Sequence, residues 1–315
     1  MTLGVRETTA RVVARARQVR LVPEAAQALA AAIQSLHPTP PAWNARYHLV
    51  APPATLAQYL LLVDALNFSF WGEPKWSIED DGERLDGYWA LAAALKRAIR
   101  DGVPLLDARF LADLDRATLA AVLRGNCEIP MLEERLANAR EVGRVLVDRF
   151  EGTFAAAIAM ADGSAEALVR LLVDSFPSFN DCATYDGDEV RFYKRAQLLA
   201  SDLAAAGAVP PWRDRAALTV FADYQLPRVL RAFGVLEYAP PLAETVDARR
   251  EIPAGAPEEV EIRAATVQAG ELIREALAAR GRAVTAVEVD TLLWTMAQAP
   301  LPNDRPYHRT RTIFY

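Results

Sequence analysis

Residues 210–236 read PPWRDRAALTVFADYQLPRVLRAFGVL, the clearest topological signal in the chain. Asp214 suits the N-cap of a short helix running to about Ala222, because its side-chain oxygen can accept an otherwise orphaned backbone N–H. Pro227 suits the first turn of a second helix and pushes Leu226 before it out of αR, while Gly234 is a fitting stop. The expected unit is helix, tight turn, helix, with Asp223 and Tyr224 at the turn. A hairpin of this kind also serves as plain packing.

On either side the pattern stays helical. Alanine, leucine and arginine dominate, and apolar residues recur at spacings of three and four in residues 24–35, 88–100, 117–124, 134–150 and 165–174. Residues 260–280 form a long amphipathic run closed by Gly281, and residues 284–299 one more, ended by Pro300 and Pro302. The N-terminal residues 1–21 share the helical period, which makes residues 1–45 a helical segment. Two stretches suit strands: NFSFW at 67–71, and EVRFY at 189–193 after the turn signal YDGD. The expected fold is a mostly α body with a small β element at one edge, as a single compact unit or two closely packed helical subdomains.

Composition narrows the function. The chain has 315 residues, of which 52% are hydrophobic and 24% charged, so it has ample material for a core. A net charge of −6 argues against a nucleic-acid polymer as partner, though a local pocket for one phosphate needs only two or three donors. No apolar run reaches the roughly 18 residues of a membrane span, and no secretory h-region opens the chain, so a cytoplasmic location is expected by elimination. Cys127 and Cys182 read as buried free thiols, and His37, His48 and His308 are too scattered for a metal cluster; no cofactor is implied. Dinucleotide, P-loop, zincin and serine-hydrolase motifs are all missing. What remains is carboxylates, a lysine, a histidine and aromatics, a toolkit for acid–base or electrostatic chemistry on a small molecule.

Several residues are candidates for that chemistry. On a strand, Asn67, Ser69 and Trp71 would share one face and Phe68 and Phe70 the other, so that rings stack on a flat heterocycle while the amide reads its edge; an aromatic core strand is the plain alternative. In FYKRAQLLASDL, Lys194, Gln197 and Ser201 share a helix face, and Lys194 with Arg195 near the helix start could clamp a phosphate or form a solvated pair. Asp214 is a plain N-cap or a catalytic carboxylate. Asp223, set in FADY among apolar neighbours, is harder to read as surface. Asp290, one turn from Trp294, needs a partner on its apolar helix face: a ligand nitrogen or Arg263.

Taken in order, NFSFW, RGNCEIPMLEERL, FPSFND, FYKRAQ, LTVFADYQLPRVL, EVEIRA and the ending HRTRTIFY resemble the queuosine-salvage family, from about His48 to Tyr315. The resemblance implies a helical protein related to helix–hairpin–helix DNA glycosylases. It also implies hydrolysis of the N-glycosidic bond of queuosine 5′-phosphate, a free mononucleotide, to release queuine without metal or organic cofactor. It places base-reading groups at His48, Phe221, Asp223 and Asp290, the 5′-phosphate at Tyr193, Lys194 and Arg195, and the catalytic carboxylate at Asp214 or Asp223. Residues that are tyrosine-rich and acidic in some relatives read DTLLWT here, so Thr291 and Thr295 supply different contacts. A non-catalytic carrier of queuine or nucleosides, and a nucleic-acid glycosylase, are the alternatives; oligomeric state is not legible.

Overall fold

The computed structural model describes residues 2–36 and 43–315; the expected His37 lies outside the described residues. The chain opens with α1 (Val5–Val13), β1 (Val19–Leu21) and α2 (Pro23–Leu36), so a strand interrupts the N-terminal segment expected to be wholly helical. There follow α3 (Pro53–Ala65), a hairpin of β2 (Ser77–Asp80) and β3 (Glu83–Asp86), α4 (Gly87–Arg100), α5 (Ala108–Ala112), α6 (Arg116–Val122), α7 (Leu132–Arg149), α8 (Phe154–Met160) and α9 (Ala165–Ser175). A second hairpin, β4 (Cys182–Tyr185) and β5 (Asp188–Arg191), leads into α10 (Lys194–Ala205). The chain ends with α11 (Gln225–Ala232), β6 (Leu236–Tyr238), α12 (Pro240–Asp247), α13 (Pro257–Ala279) and α14 (Ala286–Ala297).

The helical body is therefore as the apolar period predicts, and Gly281, at φ +82°, follows the end of α13 as a C′ glycine should. No helix among the described residues is long and apolar enough to cross a membrane. The β structure differs from expectation. Among the described residues the strands form three separate antiparallel pairs, β1–β6, β2–β3 and β4–β5, rather than one small sheet. The YDGD turn does join a hairpin, but its second strand stops at Arg191, before Phe192 and Tyr193. NFSFW is not a strand at all: it leaves α3 as irregular chain with Ser69 at φ +40°. Both cysteines are free, and both are only partly buried.

The 210–236 stretch holds the second correction. Residues 215–217 make a single 3-10 turn, and residues 218–222 run as buried, irregular chain, beginning with an extended Leu218, instead of completing a helix. Buried backbone needs hydrogen-bond partners, and here side chains supply them. Thr219 N–H donates to Gln197 Oε1 (2.9 Å), Phe221 N–H to Asp290 Oδ1 (2.7 Å), and Arg263 Nε–H to the Ala222 carbonyl (3.2 Å). The second helix forms as α11, but it starts at Gln225 and includes Leu226. Asp223 Oδ1 accepts from both Gln225 and Leu226 N–H (2.7 and 2.9 Å), which holds the first turn helical ahead of Pro227. Gly234, at φ +71°, ends α11 as expected.

One continuous apolar cluster runs from Leu3 to Ala297. Within it α5 and α7 approach closely: a Cβ on Gly143 would come within 2.2 Å of Ala112 N and 2.5 Å of Ala108 O. Backbone cannot yield as a flexible side chain can. We expect Gly143→Ala to cost about 1–3 kcal/mol in urea denaturation, as overpacking of a filled core does.

Candidate active site

Segments spread along the whole chain surround a cavity of about 580 Å³. The loop before α3 contributes His48, and the irregular NFSFW segment contributes Asn67, Phe68, Phe70 and Trp71. The start of α4 adds Tyr88 and Trp89, and one face of α10 adds Lys194, Ser201 and Asp202. From the C-terminal third come Phe221, Asp223 and Tyr224 ahead of α11, and Asp290 and Trp294 on α14. The walls are largely aromatic: Trp89 meets Trp294 edge-on at 5.7 Å between centroids, and Tyr224 meets Tyr307 at 4.9 Å. Such walls accept a flat ring by stacking.

Among the polar groups, Asp202, Asp223, Asp290 and the buried Asp64 gather around the Lys194 ammonium. Burial raises the Asp290 carboxyl well above its usual range; the Phe221 N–H opposes this, and the negative charge of Asp223 adds to it. Burial also raises Asp223, against the pull of Lys194, the Leu226 and Gln225 N–H groups, and Arg263. Asp202 is raised by burial to about 7, with Tyr88 and Lys194 pulling it down. Beneath the cavity, fully buried Asp64 is raised by burial and by Asp202, and its Oδ2 has no hydrogen-bond partner. Burial lowers Lys194 while Asp223, Asp64 and Asp290 hold it up. Its side chain makes no hydrogen bond or ion pair with the described residues, so its ammonium is available to an anion.

Several expected residues are not brought to this cavity. Asp214 does not line it; its carboxylate accepts from the Ser164 hydroxyl and the Ala165 N–H (2.7 Å) at the N-terminus of α9. It is an N-terminal anchor, as half of the sequence reading allowed, but for a different helix. Arg195 is fully buried on the other side of α10. Its guanidinium donates to the carbonyls of Asp64 (3.0 Å), Ala65 and Ser178, which removes it from any phosphate seat in the cavity. Tyr193 lies outside too, half-buried beside Cys182 at the start of α10. Gln197 turns away from the face it was expected to share with Lys194 and Ser201, binding Thr219 and the Phe192 carbonyl. Arg263 is not the partner of Asp290: it holds Asp181 through both terminal nitrogens (2.9 and 2.6 Å).

Sequence reading passed over Tyr88, Trp89, Asp202, Tyr307 and Asp64. The signal for Asp64 was available, since a carboxylate inside YLLLVDAL is as conspicuous as the one inside FADY.

Comparison with known proteins gives a consistent result. The family described as queuosine salvage protein matches residues 47–315. A queuosine 5′-phosphate N-glycosylase/hydrolase of Sphaerobacter thermophilus is 51% identical over 99% of this chain and 98% of its own. Proteins of the same name from Bos taurus and Schizosaccharomyces pombe are 33% and 32% identical, over 87% and 84% of this chain and 86% and 82% of theirs.

Burial raises the Asp214 carboxyl, but its three donors outweigh this and leave it below the usual value. Its stabilising effect is therefore present above the unfolded-state pKa near 4 and is lost as pH falls through the lower folded value. We expect Asp214→Ala to lower stability by about 1 kcal/mol at pH 7, as loss of a cap does, and by less at pH 3, read from thermal melts at both pH values.

Proposed function

The chain belongs to the queuosine salvage protein family, and from that premise we propose that it hydrolyses the N-glycosidic bond of queuosine 5′-phosphate, releasing queuine. The observation that carries this reading is the aromatic cavity holding Asp223 and Asp290 around Lys194. The cavity draws on residues from Trp43 to Tyr315, which favours treating the chain as one functional unit.

Asp223 and Asp290 divide the labour. Asp223 is held by two backbone N–H groups and by the positive charge of Lys194 and Arg263, so it is the acid best placed to ionise. Asp290 lacks the second donor, faces the charge of Asp223, and keeps its proton. Environments that push two carboxyls apart in this way assign acid and base. The C1′–N bond breaks with its electron pair going to the base, and the Asp223 carboxylate stabilises the ribosyl cation. The deazaguanine has no N7 to protonate, so Asp290 delivers its proton at another position of the leaving base. Water adds to C1′, giving up a proton to Asp223, and exchange with solvent restores both carboxyls.

His48, Phe221, Phe70 and Trp71 then surround the base with Asn67 at its edge, and Tyr224 and Trp294 close the aromatic walls. Of the residues expected at the phosphate, only Lys194 lines the cavity; Lys75, paired with Asp86 at 2.7 Å, is a second ammonium in its lining. Kinship with helix–hairpin–helix DNA glycosylases rests on the sequence resemblance, because residues 210–236 form one helix rather than two.

Incubation with queuosine 5′-phosphate and mass-spectrometric detection of queuine tests the reading. We expect release by the wild type, rising with pH as Asp223 ionises and falling again once Asp290 loses its proton, and a loss on the order of 10²–10⁴ in kcat for Asp223→Asn. Intact ligand recovered with wild-type protein would favour a carrier instead. A covalent adduct trapped by borohydride at Lys194 would replace direct hydrolysis with imine chemistry.

A further inference from the structure

Tyr88 stands between two groups that compete for its one proton. Its hydroxyl oxygen lies 2.9 Å from His48 Nε2 and 3.1 Å from Asp202 Oδ2. On the other side of the imidazole, Nδ1 lies 2.9 Å from the Asn44 carbonyl oxygen. A carbonyl only accepts, so Nδ1 carries the hydrogen. Burial pulls His48 down to about 4 against the support of the Asn44 carbonyl, and the positive charge of Lys96 lowers it further. A neutral imidazole has one N–H, so Nε2 must accept, and the Tyr88 hydroxyl is its donor. The contact between Tyr88 and Asp202 then needs a hydrogen from the carboxyl side.

We infer that Asp202 is a positioning residue that works as a neutral acid. Its Oδ2–H donates to Tyr88, Tyr88 donates to His48 Nε2, and His48 Nδ1–H donates to Asn44, in one directed chain that fixes the imidazole against the cavity. Its meaning for catalysis rests on the glycosidase reading; the protonation pattern itself does not. Trp43 holds the plane of the same imidazole from its other face, with centroids 4.0 Å apart. With both ring nitrogens committed, His48 meets a ligand through its ring face and edge. The second oxygen of Asp202 is an uncharged acceptor.

The charges around Asp202 agree with a neutral form. Lys194 on its own helix is the one cation acting on it among the described residues, and Tyr88 on α4 bonds to it. Asp64 on α3 and Asp290 on α14 are both raised by its negative charge, so ionising all three around one ammonium in a poorly solvated site is unfavourable. The buried face of α9, which packs on α10, is Ala165, Leu168, Val169, Leu172 and Ser175, and residues 177–179 are Pro, Ser and Phe, so neither offers a titratable group. Because the raised value lies near 7, the chain is complete below that pH and loses its first donor above it.

Asparagine can donate to Tyr88 through its amide without titrating, which makes Asp202→Asn the informative variant. We expect it to keep kcat/KM within about threefold of wild type at pH 6.5. Above pH 7 the wild type should fall about tenfold per pH unit, and the variant should hold its activity at least one unit further. Asp202→Ala should raise KM at every pH. A loss above about 100-fold in Asp202→Asn at pH 6.5, or an unshifted alkaline limb, overturns the inference. Nitrogen-15 spectra of the ligand-free protein, with His48 assigned through His48→Gln, test the imidazole end of the chain even for a protein that releases no queuine. A neutral Nδ1–H imidazole at pH 6.5 supports the chain, and an imidazolium overturns it.

Discussion

The carbonyl end of α3 is held by two buried guanidinium groups, and much of the site depends on that arrangement. The last carbonyls of a helix lack intrahelical donors and carry the negative end of the helix dipole. Here Arg195 takes those of Asp64 and Ala65, Asn138 also takes Ala65 (3.0 Å), and Arg135 takes Leu66, Phe68 and Ser69. An isolated buried guanidinium would be strongly unfavourable, but each of these has several acceptors and an aromatic face besides. The result is a rigid exit from α3. NFSFW leaves it as non-repetitive chain, and Ser69 is fixed from the opposite side: its N–H donates to the Tyr315 carbonyl and its hydroxyl to the Thr312 carbonyl (both 2.8 Å). Asn67, Phe70 and Trp71 are thereby presented to the cavity from loop rather than strand.

A second network sits next to this one and separates structural from reactive charge. Arg263 pairs with Asp181, lies 3.6 Å from Glu259, and stacks on Phe192 and Tyr315 at 3.9 and 4.4 Å. Asp181 in turn accepts the backbone N–H of Lys194 at the start of α10. The ion pair therefore sets the helix that carries Lys194, Ser201 and Asp202 without entering the cavity. Inside the cavity the balance is reversed: Asp202, Asp223 and Asp290 on its wall and Asp64 beneath it gather around the Lys194 ammonium, while Lys75, also in the lining, is paired with Asp86. Burial raises all four carboxyls, and repulsion between them adds to this at Asp64 and Asp290.

Residues were legible where local chemistry forces an outcome. Asp223 and Asp290 stood out because charged groups among apolar neighbours need a purpose, and both face the cavity. Lys194 and Arg195 looked alike as a dipeptide, yet adjacent helical residues point about 100° apart. One faces the cavity and the other the end of α3, and nothing in the pair itself says which. Asp214 was read as a cap or a catalyst. Its carboxylate anchors the N-terminus of α9 beside the N-cap Ser164, about fifty residues earlier in the chain, a partner that no local rule identifies.

The sequence by itself determined the helical period, the ends of α11 and α13 at glycine, the hairpin at YDGD, and the family, because these depend on neighbouring residues or on motif order. Tertiary structure alone decided that NFSFW is loop and that residues 218–222 are buried, irregular chain. It also decided that Tyr88 and Asp202 join His48 in one chain. The physical reason is the same in each case: the groups that satisfy those backbones and side chains come from segments tens to hundreds of residues away. Their hydrogen-bonding demands are written locally, but the partners that meet them appear only when the chain has folded.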